Sequence, residues 1–497
     1  MPQRFACWGV LTFIAAMLSL RPLGAQGQDP ARANSPLRVC QTSATNRGIT
    51  MQQNPSQAVP PSHRGVWYAC GTVNTLPGHA HVYSGAMATY CAWHRPMAVY
   101  APAVNKTFWA YGNADNAPTI TCYDHGRQSF AEPVVLGSNP DGDAHRNPTL
   151  LVDTEGFLYV FYGAHGHPSH VVKSTSPHDI GSWRALADLD DPRGTYPQPW
   201  QLVEGEVYVM YRHAPGWRCR VSKDGGETWQ APVSIIDSPP DAGWDCTVYG
   251  ISIAETGPFP RRVHFAWSRL GGGTPEEIQA KHLWARRYNV YYACSDDGGR
   301  TWQRSDGTPY ELPITESTAE KLYDCGQHGV WLKDIQLDAQ GNPYILFLDS
   351  ETETYQSDWM VLRHVGGEWK LSKVTHSDHM YDGGGLVLLS DQDIRIYGAT
   401  TPSQPHEDGG EIEEWQSTDG GETWVNTAHI THDSRYSHNH VKVVHNHQAG
   451  VGDLRMFWSY GDSHSPPETR DVSMYCYGEA REGCRQVRFG ATETEDQ

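Results

Sequence analysis

The sequence predicts an all-β fold, a seven-bladed β-propeller of four-stranded antiparallel blades. One octapeptide pattern, Ser-x-Asp-Gly-Gly-x-Thr-Trp, recurs at Ser222–Trp229, Ser295–Trp302 and Ser417–Trp424. A second pattern, strand, tight polar turn, strand, recurs ahead of such segments. At 497 residues the chain is too long for one small domain, but a single large all-β array absorbs this length.

In the octapeptide the Asp can accept backbone N–H bonds, as turn aspartates do. The two glycines permit positive φ, and the Trp can bury its face between neighbouring sheets. A degenerate fourth copy, Ser174–Trp183, keeps the Ser, Asp and Trp without the glycine pair. The pattern resembles the Asp-box, or BNR repeat, of sialidase-like propellers.

The second pattern supplies the inner strands. Asn147–Asp153 leads through Thr-Glu-Gly to Phe157–Tyr162, and Trp331–Asp338 leads through Ala-Gln-Gly to Pro343–Leu348. Leu386–Leu389 and Ile394–Tyr397 flank Ser-Asp-Gln-Asp in the same way. These runs are rich in β-branched and aromatic residues and read as strands one and two of a blade. Strand three then feeds the Asp-box turn. Blades accordingly open near Met97, Asn147, Pro197, Val248, Trp331, Leu386 and Val441, at roughly fifty residues each. Gly65–Cys91 is strand-like and left over, and is expected to complete the last blade and close the ring. Gly271–Tyr288 is a long loop in the fourth blade.

The N-terminus reads as an export signal over residues 1–25, with Arg4, an apolar run Phe5–Leu20, and a small-residue site at Leu23-Gly24-Ala25. Residues 26–64 read as an N-terminal extension and 65–497 as the propeller. The expected location is extracellular or periplasmic, with no membrane anchor, since the run is too short to span. Of eleven cysteines, Cys7 leaves with the signal. The remaining even number makes disulfides an expectation, with Cys476–Cys484 the most direct pair.

A formal charge of −19 argues against nucleic acid as a partner, because no basic stripe exists to neutralise phosphates. It leaves room for an anionic glycan held by a few arginines in a focused cleft. The 18 Trp and 25 Tyr suit sugar stacking, and equally suit blade packing.

Strand polarity puts residues just before strand one and just after strand two on one rim. In the second blade these are His145 and His165. In the third they are Tyr196 and Arg212. His can take a proton near neutrality, Tyr can give one, and Arg can clamp a carboxylate bidentately. Together they suit β-elimination on a uronic acid, where charge developing on the carboxylate must be neutralised.

Asp143–Trp183, with Ala-His-Arg-Asn-Pro-Thr and Tyr-Gly-Ala-His-Gly-His-Pro, then Thr-Tyr-Pro and Tyr-Arg-His, resembles the seven-bladed ulvan lyases, which cleave a sulfated algal polysaccharide of rhamnose and uronic acids. The diagnostic part covers about seventy residues of the chain. The resemblance implies that His145 abstracts the proton and Tyr196 protonates the leaving oxygen, or the reverse according to the uronic-acid epimer, that Arg212 neutralises the carboxylate and that His165 assists as binder or second acid/base group. It implies no cofactor for catalysis, a structural zinc or calcium ion with His213, His282, Cys325 and His328 as candidate ligands, and a monomer acting on an anionic, ulvan-like polysaccharide. The alternative for Cys325 is a disulfide. Two other readings share the fold: a sialidase-like glycoside hydrolase, for which Trp93-His-Arg-Pro96 is a near miss to Arg-Ile-Pro, and a non-catalytic glycan-binding propeller.

Overall fold

The computed structural model describes residues 59–489, apart from 77–78, 140–141, 238–246, 273, 275, 278–285, 404–406, 448–453, 465–471 and 479–483. The expected export signal and most of the N-terminal extension lie outside the described residues.

Seven antiparallel blades follow one another along the chain, each ordered from the inner to the outer strand. The innermost strands are Ala98–Ala101, Thr149–Val152, Gly194–Trp200, Val248–Ala254, Gly329–Leu337, Gly384–Leu388 and Ser437–Val443. The openings expected from sequence fall within a few residues of these. In the first blade the outer strand is split into Ser129–Phe130 and Val134–Val135, both paired to the third strand.

The Asp-box turns form as their composition dictates. In the first, Gly226 N donates to Ser222 Oγ (2.7 Å), while Thr228 N (2.9 Å) and Thr228 Oγ1 (2.6 Å) donate to the Asp224 carboxylate. Asp297 and Asp419 repeat this arrangement. The second glycine is needed twice over. Gly299 has φ +80°, and a Cβ there would lie 2.4 Å from Tyr208 of the preceding blade. The Trp then docks backwards: Trp229 Nε1 donates to Ala187 O, and Trp424 Nε1 donates to Ser372 Oγ. The first and third boxes thus stitch a blade to the one before it through the Trp, whereas the second, whose Trp302 Nε1 is unbonded, meets the preceding blade through Gly299 against Tyr208.

Ring closure departs from expectation. Gly65–Cys91 does not complete the last blade, whose four strands all come from Ser437–Gln486. The first and last blades meet through a Trp109–Phe457 stack (4.0 Å between centroids) and a parallel bridge Val99↔His445. The leftover segment instead forms a separate hairpin, Trp67–Leu76 with His79–Ala86. Its Tyr83 stacks on Tyr381 (3.6 Å). From there residues 87–97 plug the central channel. Arg95 pairs with Asp334 (2.9 Å), Gln198 Nε2 donates to Trp93 O (3.0 Å), and Lys442 Nζ donates to Cys91 O and His94 O. Every blade already owns four strands, so the spare residues gain more by satisfying polar groups in the channel.

No disulfide is present among the described residues. For Cys476 and Cys484 the register explains this. Cys476 lies opposite Arg485 and Cys484 opposite Tyr477, so the two thiols point to opposite faces of the sheet. Cys325 is also a free thiol.

Candidate active site

The four rim residues expected from sequence come together. The His145 and His165 rings stack with centroids 4.5 Å apart, and Tyr196 lies 6.2 Å from His145. The Arg212 guanidinium sits 4.7 Å above the Tyr196 ring. Tyr196 is not ahead of its strand but inside Gly194–Trp200, at a bulge between Thr195 and Gln198. Its φ of +57° is uncommon for a bulky side chain. The bulge re-aims the phenol, and an antiparallel bridge His165↔Thr195 ties the second blade's loop to the same point.

Asp143 organises the pair of histidines. It caps the turn Ala144–Arg146, accepting from His145 N. Its Oδ1 faces His145 Nδ1 (2.6 Å) and its Oδ2 faces His165 Nδ1 (2.5 Å). A carboxylate only accepts, so both rings present Nδ1–H to it, and the neutral form of His145 carries its lone pair on Nε2. Burial alone would raise the Asp143 pKa, but the two histidine hydrogen bonds bring it below the ordinary carboxylate range. Burial lowers the pKa of His145, with Asp143 opposing it and His165 and Arg212 adding to it. His145 is therefore a neutral base near pH 7.

The channel plug completes the site. Tyr90 OH lies 3.0 Å from His145 Nε2 and donates to its lone pair. His94 accepts from Cys91 N (2.9 Å) and donates through Nε2 to His145 O (2.9 Å). Burial, with help from Lys442, holds His94 down at about 3, so it stays neutral. Asn147 Nδ2 reaches Met87 O and Tyr90 O, anchoring plug to blade. On the far side Tyr249 lies beneath two guanidinium groups, Arg212 at 4.9 Å and Arg287 at 4.2 Å. Burial would raise the Tyr249 pKa, yet the two arginines bring it below the usual phenol value.

Sequence reasoning missed Asp143, Tyr90, His94, Tyr249 and Arg287. Asp143 was within reach, two residues before His145 in Asp-Ala-His. The plug residues were not, because nothing in a local pattern says that a spare segment threads the channel.

The candidate metal ligands do not converge. His213 Nδ1 is held by Asp191 (2.7 Å) and His328 Nδ1 by Asp349 (2.6 Å). Cys325 Sγ lies against Asn289 N, the Arg286 guanidinium and His328 O, a setting in which a cation already occupies the thiol. His282 lies outside the described residues. The described members therefore do not fit a zinc or calcium cage. Among the described residues, the one group whose ligand atoms cluster closely enough for an ion is Asp143, His145 and His165, and there the carboxylate is already shared by two N–H donors.

A cavity of about 760 Å³ opens at the other mouth of the channel, lined by Asp153, Gln201, Glu255, Asp338 and His445 among others. It contains none of the four rim residues. Volume alone does not locate the chemistry of this propeller.

Known proteins resemble this chain in sequence and fold. The profile of a BNR repeat-containing family matches residues 106–377. A curated relative named Ulvan Lyase-PL25, from Pseudoalteromonas sp. (strain PLSV), is 26% identical over 361 residues, covering 64% of this chain and 71% of the relative. An ulvan lyase from Nonlabens ulvanivorans is 24% identical over 364 residues, covering 66% and 75%. A solved PL25 ulvan lyase superimposes with a TM-score of 0.64 at 23% identity, covering 78% of this chain and 92% of that one. The same fold was also solved bound to -[GlcA(1-4)Rha3S]-, with a TM-score of 0.64 at 22% identity over the same shares. With more than half its length matched and three Asp-boxes formed, the chain belongs to the BNR repeat-containing family.

Proposed function

We propose that this chain is a polysaccharide lyase that cleaves an ulvan-type sulfated uronate polysaccharide by β-elimination, giving unsaturated uronyl oligosaccharides. The observation that carries this is a neutral His145 with its Nε2 bare, beside Tyr196 and a buried Arg212. The relatives named ulvan lyase support it.

The steps follow from the geometry. Arg212 neutralises the substrate carboxylate, which makes the adjacent C5–H acidic. Its guanidinium donates to Thr195 Oγ1 (3.3 Å) and to the Tyr249 phenol, and among the described residues no carboxylate pairs with it. His145 Nε2 takes the C5 proton, releasing Tyr90 OH from its lone pair. The C5–H electrons form the C4–C5 double bond, and the C4–O4 bond breaks. Tyr196 donates its proton to that oxygen, which leaves as the anomeric hydroxyl of the departing sugar. Burial raises the Tyr196 pKa, keeping it protonated until that moment. Asp143 keeps both histidines in the Nδ1–H form, and His165 contacts the substrate as binder or second proton carrier.

A hydrolase fits less well. Its usual machinery is a pair of carboxyl groups or a Tyr–Glu pair. The carboxylate within the His145–His165–Tyr196 group is Asp143, and both its oxygens are committed to histidines. We also read the enzyme as exported and monomeric. The test is digestion of ulvan followed in the ultraviolet, where the unsaturated uronate absorbs and a hydrolysis product does not. His145→Ala and Tyr196→Phe should each abolish that signal. Survival of activity in both variants sinks the assignment.

A further inference from the structure

The proposed reaction leaves its two proton carriers exchanged. His145 has gained the C5 proton and Tyr196 has lost its own, so an imidazolium faces a phenolate in a site where both rings are packed against other aromatic side chains. Neither can act again until the proton has crossed from the first to the second. From the ordinary values of about 6.5 and about 10 that transfer already runs downhill. Burial widens the gap, lowering the pKa of His145 and raising that of Tyr196. The driving force is in place, and what the site needs is a path.

Tyr90 has the contacts of such a path. It arrives on the channel plug, buried, with its hydroxyl 3.0 Å from His145 Nε2. Its ring is fixed edge-on between His145 (5.1 Å between centroids, 85°) and His440 (5.2 Å, 83°). The ring is held, but a phenol hydrogen turns about its C–O bond, and the oxygen both donates and accepts. Tyr90 and Tyr196 flank the same two histidines. Tyr196 lies 6.2 Å from His145 and 5.1 Å from His94, and Tyr90 lies 6.1 Å from His94. The Tyr196 hydroxyl is near enough to push the Tyr90 pKa up. The other groups around Tyr90 do not compete for a proton. Burial holds His94 and His440 each down at about 3. It keeps the Cys91 thiol protonated, pushed up to about 11, and the Tyr83 phenol likewise. In that company the Tyr196 phenolate is the strong base once the reaction has run.

We propose that Tyr90 is the relay that resets the site, carrying the proton gained by His145 on to Tyr196 after each cleavage. This rests on the lyase reading above. While His145 is neutral, Tyr90 O–H donates to Nε2. When product leaves, Tyr90 meets an Nε2–H there instead, and its oxygen accepts. Its own hydrogen turns towards Tyr196 and passes to the phenolate oxygen, directly or over one water, as the Nε2 proton crosses to Tyr90. The His145 Nε2–H bond and the old Tyr90 O–H bond break. A new Tyr90 O–H bond and a Tyr196 O–H bond form. Tyr90 ends as it began, His145 recovers its lone pair, Tyr196 is again an acid, and no charge enters or leaves the site.

The test is stopped-flow mixing of the full chain with excess ulvan, read from the absorbance of the unsaturated product. It is run at fixed pH and ionic strength over a range of imidazole concentrations. The unaltered chain should turn over steadily at a rate independent of imidazole. Tyr90→Phe keeps the ring and loses the relay. It should give a burst of about one product per chain and then a steady rate roughly tenfold or more lower. Imidazole should restore that rate by moving the proton through solution. A residue that only positions His145 would slow the first turnover as much as the later ones, so a slowed first turnover without a burst overturns the proposal. An unchanged steady rate in Tyr90→Phe overturns it too. A rate for the unaltered chain that climbs with imidazole does the same without any variant, and that measurement decides the matter where Tyr90→Phe does not fold. No product from the unaltered chain removes the lyase reading itself, a different and separable result.

Discussion

Replacing Asp143 by Asn keeps the shape of the side chain and removes its charge. In the native site both oxygens accept, one from each histidine, at 2.6 and 2.5 Å. An amide has one oxygen and one NH2, so it can accept from only one of the two rings. The other imidazole must present an acceptor at Nδ1, which moves its proton to Nε2 and removes the lone pair that takes the substrate proton. A charge-assisted hydrogen bond is worth about 1.5–3 kcal/mol. Losing one from the reactive arrangement lowers kcat roughly ten- to a hundredfold. The pH profile moves in a less obvious direction. Burial is the largest influence on His145 and lowers its pKa, while Asp143 opposes that. Without the Asp143 charge the His145 pKa falls further. The base works when neutral, so the acid limb of the kcat–pH curve should shift to lower pH while its plateau drops. Initial rates of unsaturated product formation across a pH series read both effects. An unchanged plateau, or an acid limb displaced upwards, refutes the role given to Asp143.

Gly299→Ala should destabilise the fold by about 1–3 kcal/mol, because its Cβ meets the Tyr208 ring and φ is +80°. The denaturant midpoint measures this, and a neutral result would contradict the inter-blade role of the Asp-box glycine. Asp408 lies buried beside Asn439, and burial raises its pKa to about 7. The folded chain therefore holds a proton there that the unfolded chain has released above its ordinary carboxylate pKa. Stability from this group is lost as pH rises from about 4 to about 7, by at most about 4 kcal/mol. Asp408→Asn should flatten that part of the Tm–pH curve, and a slope identical to the parent chain's would show the pH dependence arises elsewhere.

Much of the site was legible because a propeller is a repeat. Once the Asp-boxes and the strand–turn–strand units are aligned, strand polarity alone puts His145, His165, Tyr196 and Arg212 on one rim, and the structure brings them within stacking range. The role of Asp143 was hidden only by its being an ordinary capping residue in sequence.

The sequence by itself determined the blade count, the boxes and the rim, since each depends on contacts local in the chain or repeated along it. Tertiary structure alone decided the rest. The spare segment plugs the channel rather than closing the ring, bringing Tyr90 to His145 across 55 residues of chain. Arg287 and Arg212 meet at one phenol although they belong to different blades. Cys476 and Cys484 face apart because a one-residue offset in strand register reverses a side chain. Each of these depends on long-range packing or on register. Neither leaves a mark in a local pattern of residues, because the free energy that selects them comes from surfaces that meet only after the ring has formed.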